Sequence, residues 1–320
     1  MRQQVTLEKY HALGNDYLVY DPRRNAQNGA RDILLAGAGG KETAGGASNG
    51  AWAGPDAPPL DIDAVRLICD RNFGCGSDGI LYGPVDAGGG RIGVRIYNPD
   101  GGEAEKSGSG VRIFSKYLKD FGYVHDRSFT LATLGGDVTV DYLSEDGALM
   151  KVMMGKVTFR SGEIPVAGAD REVVDEPMTF GGKDYRVTCV SIGNPHCVIP
   201  VGALSKDEAV ETGRIAESAP CFPNRINVQF MKVLDRRNIQ IEIYERGAGY
   251  TLASGTSSCA AASAAHRLGL VDGSLTVHMP GGALEIEIGA DWTVRMTGTV
   301  SRVGTFAPAA EFAERLTAGR

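Results

Sequence analysis

At 320 residues and 42% hydrophobic content, the chain can bury its own core and has the length of two domains or one large one. A formal charge of −6, with Lys and Arg mixed among Asp and Glu, leaves no basic stripe to follow a phosphate backbone, which sets nucleic acid aside as a partner. No apolar run approaches the roughly 20 residues that span a bilayer. The opening "MRQQVTLEKYHALGNDYLVYD" also lacks the basic-then-apolar order of a signal peptide, so the expectation is a soluble cytoplasmic protein with no membrane partner.

In chain order, "YLVYD" is the first run with strand character. Residues 26–59 follow, rich in Ala and Gly without sustained periodicity, and read as a surface insertion or mobile loop, with a lid over an active site as the functional alternative. "DIDAVRLICDR" is a helix opened by Asp61, and "RIGVRIYN" is a strand. "GVRIFSKYLKDFG" is a second helix. The strands "VTVDYL", "LMKVMMG", "YRVTCVSIG", "HCVIPV", "INVQFMKVL" and "IQIEIYE" lead to a third helix, "SSCAAASAAHRLG". The last two helices end in the glycine that suits a helix C-terminus. "SLTVHM", "ALEIEI" and "WTVRMTG" are strands again, and "APAAEFAERLTAGR" closes the chain as a short exposed helix and tail. The pattern is that of a mostly antiparallel sheet protein with few helices.

Six cysteines (Cys69, Cys75, Cys189, Cys197, Cys221, Cys259) contain no CxxC pair, so neither a zinc site nor a disulfide framework is indicated, and they read as buried thiols. No nucleotide, flavin, pyridoxal phosphate or metal motif is present. The 44 glycines, well above the usual share of about 7%, imply many tight turns and close backbone approaches.

The chain repeats itself. Ser107 to Gly122 and Ser254 to Gly269 each span 15 residues, with small residues after the serine and a helix between. "LGNDYLVY" around Asn15 and "IGNPHCVI" around Asn194 match as well. Gly14 to Ser107 is 93 residues and Gly193 to Ser254 is 61, a difference of 32 that is close to the size of the Ala/Gly-rich segment. Two related halves, one carrying an insertion, follow from this. Facing halves would aim two helix N-termini into one cleft, where orphan N–H groups and about half a positive charge hold an anion. A carboxylate pinned there would have a serine on either side of its Cα. The plainer reading of Ser107 and Ser254 is that of ordinary N-caps.

The runs "KYHALGNDYLVYD", "DRNFGCGSDGI", "RIYNPDGGEAEKSGSG", "GNPHCV", "INVQFM" and "ERGAGYTLASGTSSCAAA" together resemble the diaminopimelate epimerase family, whose members are cofactor-independent amino-acid epimerases. The resemblance implies an α+β fold of two pseudo-symmetric, mostly antiparallel β domains, each wrapped around a central helix. It divides the chain into residues 1–127 plus 298–320 and residues 128–297. It implies an amino-acid substrate and no cofactor, and leaves a homodimer open.

In that family one cysteine precedes each central helix, one thiolate removing the α-proton and the opposite thiol returning one. This chain has serine at both points, Ser107 and Ser254, and none of its cysteines falls in their place. A thiol titrates near 8.5 and an aliphatic hydroxyl far higher, and each pK unit is about 1.4 kcal/mol, so serine needs an adjacent base. The resemblance assigns that assistance to His196 and Glu245, each of which taken alone would be a structural histidine or half of a surface ion pair. It assigns substrate binding to Asn15, Asn98, Asn194, Asn227 and Arg246, while the first-turn backbones at Gly108, Ser109, Gly110, Gly255, Thr256 and Ser257 would hold the reacting carboxylate. Gly79 and Ser109 depart from the family's usual glutamine and asparagine, which allows a shifted amino-acid substrate. Three accounts of the serines stand side by side: an engineered Cys→Ser form, a natural variant using His196 or Glu245 as the base, or a paralogue that binds an amino acid without turnover. A serine hydrolase is disfavoured because neither serine sits in a GxSxG elbow.

Overall fold

The structure is a computed structural model describing residues 5–28, 34 and 58–317. Residues 29–33 and 35–57 carry most of the Ala/Gly-rich segment, so the loop and lid readings of it lie outside the described residues.

Among the described residues eighteen strands are joined into one pairing network, antiparallel at all but four of the pairings. Alternation places them. In Asn238–Glu245 the side chains of Ile239, Ile241 and Ile243 are fully buried, while the residues between them are partly exposed. The fold class is the expected α+β arrangement, and its repeat extends to single hydrogen-bonded strands. In the first half Leu7–Ala12 pairs antiparallel with Asn15–Tyr20, which runs parallel to Ile80–Asp86, which pairs antiparallel with Ile92–Tyr97. In the second half Lys183–Ser191, Pro195–Pro200, Asn227–Asp235 and Asn238–Glu245 repeat these relations in the same order. A short strand before each central helix and three strands after it complete each half. The halves meet where Leu149–Lys156 pairs antiparallel with Thr293–Thr299.

Each half then gives its last strand to the other. Glu176–Phe180 pairs with Lys183–Ser191, and Ser301–Phe306 returns to Leu7–Ala12.

The central helices are Gly108–Asp120 and Gly255–Arg267, and each is followed by a glycine at positive φ, Gly122 at 71° and Gly269 at 72°. The first buries large side chains such as Phe114 and Tyr117, whereas the second buries only small residues, five of them alanines. One hydrophobic core runs through both halves around them. Two smaller cores lie beneath the outer helices Ile62–Cys69 and Lys206–Glu217, which occupy equivalent positions in the repeat.

The C-terminal segment forms a helix at Ala310–Thr317, but it is not simply exposed. Leu316 is buried and Phe312 packs beside it on the core under Ile62–Cys69. Among the described residues no helix is long and apolar enough to cross a membrane.

Candidate active site

Ser107 and Ser254 are the N-caps of the two central helices, in nearly the same extended conformation (φ −136°, ψ 121° and φ −150°, ψ 127°). Ser107 Oγ accepts from the Gly110 N–H at 3.0 Å and Ser254 Oγ from the Ser257 N–H at 3.3 Å. The two helix starts touch. A Cβ at Gly108 would lie 2.8 Å from the Gly255 Cα, and one at Gly255 would lie 2.9 Å from the Gly108 Cα. Only glycine at both positions permits this approach, which brings two positive helix ends to one point. The Gly110 and Ser257 N–H groups are taken by the serines themselves, so the cap geometry leaves the earlier amides of Gly108 and Ser109, and of Gly255 and Thr256, for an anion.

A small cavity of about 50 Å³ opens at this junction. Of the expected site residues, Ser107, Asn98, Asn194, Asn227, Glu245, Arg246 and Thr256 line it. Asn15, His196 and Ser254 are not in its lining and are buried. Asn15 donates to Asp78 at 3.1 Å, and Asp78 also accepts from Arg71 at 2.7 Å. Asn227 donates to the Pro195 carbonyl at 2.8 Å and accepts from the Arg246 N–H at 3.0 Å, tying the strands that carry His196 and Glu245. The Arg246 guanidinium reaches across to Glu105 at 3.1 Å. That pair is partly exposed, and such pairs contribute only about 0–1 kcal/mol, so a substrate carboxylate can displace it cheaply.

Burial pushes the Glu245 carboxyl up to about 7, an interaction with the Ser254 hydroxyl holds it from rising further, and the charge of Asp78 adds to the rise. A carboxyl tuned to this range is suited to take and return a proton near neutrality. His196 is fully buried, and desolvation pushes its imidazole down to about 3, so it is neutral across the working range. Its Nε2 pairs with Asn194 Oδ1 at 3.0 Å, and the Asn194 amide reaches Thr256 Oγ1 at 3.4 Å. His196 also interacts with Gln229, which in turn donates to Ser257 Oγ at 3.1 Å. The histidine thus holds Asn194 against the second helix from behind the cavity wall. Among the cysteines, Cys259 is fully buried and its thiol is pushed up to about 12 by that burial, so it offers no thiolate.

Sequence reasoning missed four residues here. Tyr17, Glu105 and Lys106 line the cavity, and Asp78 anchors Asn15. Lys106 is buried, donates to the Met154 carbonyl at 2.6 Å, and has its ammonium pushed down by desolvation. Glu105 and Lys106 could have been found from their place directly before Ser107. The signal for Tyr17 was the repeat itself, since "GNDY" and "GNPH" set Tyr17 opposite His196.

The Diaminopimelate epimerase family model matches residues 55–160 and 188–303. The chain is 46% identical over 295 residues to diaminopimelate epimerase 2 of Nostoc sp. (strain PCC 7120), covering 92% of each chain. It is 36% identical over 291 residues to the diaminopimelate epimerase of Methanothermobacter thermautotrophicus, covering 90% of this chain and 92% of that one. Its fold is similar to a hydroxyproline epimerase of Agrobacterium vitis (TM-score 0.69, 15% identity, 98% and 96% covered). It is also similar to a phenazine biosynthesis protein of Bacillus anthracis (TM-score 0.59, 14% identity, 96% and 99% covered). With more than two thirds of its length matched by the family model and relatives aligned along nearly all of it, the chain belongs to the diaminopimelate epimerase family.

Proposed function

We propose that the protein is an amino-acid epimerase that inverts the Cα of diaminopimelate, or of another polar amino acid, by proton transfer between two opposed faces. The observation that carries this reading is the contact of Gly108 with Gly255, which sets two serine-capped helix starts against each other beside Glu245. The α-carboxylate sits on the free first-turn amides of both helices, where charge developing on the deprotonated Cα is delocalised into it and stabilised. Arg246 takes the distal carboxylate in exchange for Glu105. Glu245, acting with Ser254, accepts the α-proton, and a proton from the Ser107 side completes the inversion.

The test is incubation with LL-diaminopimelate in D2O, following Cα deuterium by NMR and stereochemistry by chiral separation, for the protein and for its Ser107→Cys/Ser254→Cys form. Deuterium uptake with inversion by the unmodified protein is the expected result. Uptake by the cysteine form alone would identify a chain that binds the amino acid without turning it over. Uptake by neither would remove diaminopimelate as the substrate.

A further inference from the structure

Tyr17 has no place in the roles considered above, yet it stands at the centre of the Ser107 side. It is 5% exposed, lines the cavity, and its hydroxyl lies 3.3 Å from Ser107 Oγ, its one hydrogen-bond partner among the described residues. Two observations show that the site is shaped around its ring. A Cβ at Gly79 would lie 2.7 Å from Tyr17 Cε1 and 2.4 Å from the Tyr97 carbonyl, so only glycine leaves the ring its place. In the repeat, Tyr17 occupies the position of His196, three residues after the Gly-Asn step's glycine in each half.

A hydroxyl has one hydrogen and two lone pairs. A buried phenol with a single partner gives its hydrogen to that partner, since otherwise the donor would be left unmade. Ser107 Oγ then accepts twice, from the Gly110 N–H and from Tyr17, and its own hydrogen has no acceptor left among the described residues. Ser254 is set the opposite way. Its Oγ accepts from the Ser257 N–H and lies 3.5 Å from Thr256 Oγ1, and beside it stands the Glu245 carboxyl, which as a carboxylate only accepts, so the Ser254 hydrogen has an acceptor to run to. We infer that Tyr17 is a positioning residue that holds Ser107 as the proton-delivering face, leaving Ser254 and Glu245 as the proton-removing face.

This assignment rests on the epimerase reading and gives it a direction. The Cα–H bond breaks with its electron pair left on the substrate, and the proton passes to Ser254 as the Ser254 hydrogen moves to the Glu245 carboxylate. On the other face Ser107 O–H protonates Cα, and the phenolic hydrogen of Tyr17 follows to the Ser107 oxygen. One proton has then moved from the tyrosine side to Glu245, and water returns it once product leaves. Burial first, and then the nearby charge of Glu245, push the Tyr17 phenol up, so it carries its hydrogen at neutral pH and can hold it toward Ser107.

Tyr17→Phe keeps the ring and removes the hydroxyl. With each stereoisomer of diaminopimelate in D2O, the expected result is inversion reduced at least about tenfold in both directions while exchange without inversion survives from one isomer only, the one whose α-proton faces Ser254. Substrate affinity by calorimetry should stay within about twofold, since the hydroxyl acts on Ser107 and not on the ligand. Ser107→Ala should give the same one-sided exchange, and adding Tyr17→Phe to it should cost nothing further. Wild-type inversion in Tyr17→Phe, or equal loss of exchange from both isomers, overturns the assignment while leaving the epimerase reading intact. An unmodified protein that exchanges deuterium from neither isomer overturns both.

Discussion

The surroundings of Ser107 and Ser254 are built on one backbone plan and filled with different chemistry. Strand register matches the two environments residue by residue. Leu18 pairs with Ile80 as Cys197 pairs with Val228, so Gly79 and Asn227 are equivalent. Ile96 pairs with Ala104 as Ile243 pairs with Thr251, so Asn98 and Glu245 are equivalent. Around Ser107 the repeat therefore supplies Tyr17, Gly79 and Asn98, none of them a carboxylate or imidazole. Around Ser254 it supplies His196, Asn227 and Glu245. The caps and the touching glycines are what the two halves share; the group that can exchange a proton near neutrality, Glu245, is not. Symmetric backbone places a ligand between two equivalent faces, and unequal side chains then decide which face takes the proton.

The comparison breaks most severely at Glu245. Glu245→Gln should lower kcat/KM by about 10²- to 10⁴-fold, the usual worth of a general base. The acid limb of the wild-type pH profile, rising to a plateau through about pH 7, should disappear with it. Stability moves the other way. A carboxyl raised from 4.5 to about 7 by folding carries a cost that is absent below pH 4.5, grows as pH rises to about 7, and levels off above. Melting curves should therefore show Glu245→Gln more stable than wild type at pH 8 and no more stable at pH 4. Asn98→Asp, which places a carboxylate at the equivalent point beside Ser107, should not restore the lost activity.

Next in size is the shared feature. Gly108→Ala and Gly255→Ala each drive a methyl into the other helix's backbone, an overpacking of about 1–3 kcal/mol that should appear as a lowered midpoint in urea with the slope unchanged. The two losses should be alike, and the double variant should fall short of their sum, because one helix separation relieves both clashes. Smaller again are the caps: Ser107→Ala and Ser254→Ala should each cost about 1 kcal/mol in stability while differing in their exchange patterns. The last effect appears only on acidification and concerns His196. An imidazole depressed to about 3 makes folding less favourable as pH falls below its ordinary 6.5, so His196→Gln should flatten stability between pH 6.5 and 4.

Much of this was readable from the chain, and the failures have physical causes. Strands such as Asn238–Glu245 declare themselves by alternation, and the central helices by their flanking serine and glycine. Ile80–Asp86 did not, because Gly83 and Pro84 inside it resemble a turn. Gly83 is there because the Phe114 ring of the first central helix would lie 2.8 Å from a Cβ, and the strand's register shifts between Tyr82 and Val85. The helix Lys206–Glu217 was missed although Ser205 caps it and acidic residues fill its first turn. Its buried face is broken by Gly213, whose missing side chain makes room for Tyr244, and a gap that exists to admit another residue's ring breaks the apolar period. Tyr17 was hidden for a related reason. Within "YLVY" it is an ordinary strand residue, and only the absence of a side chain at Gly79, distant in sequence, marks the space it fills.

The exchange of last strands also constrains how the molecule is made. Leu7–Ala12 leaves the ribosome long before the strand that covers its outer edge, Ser301–Phe306. Until then the first half carries an open edge of unpaired N–H and C=O groups, the kind of edge that recruits other nascent chains. The second half has no such interval, since Glu176–Phe180 precedes its partner Lys183–Ser191 by only a few residues. The first half is thus the part more open to such pairing during synthesis, and its sheet is closed only when Ser301–Phe306 is released.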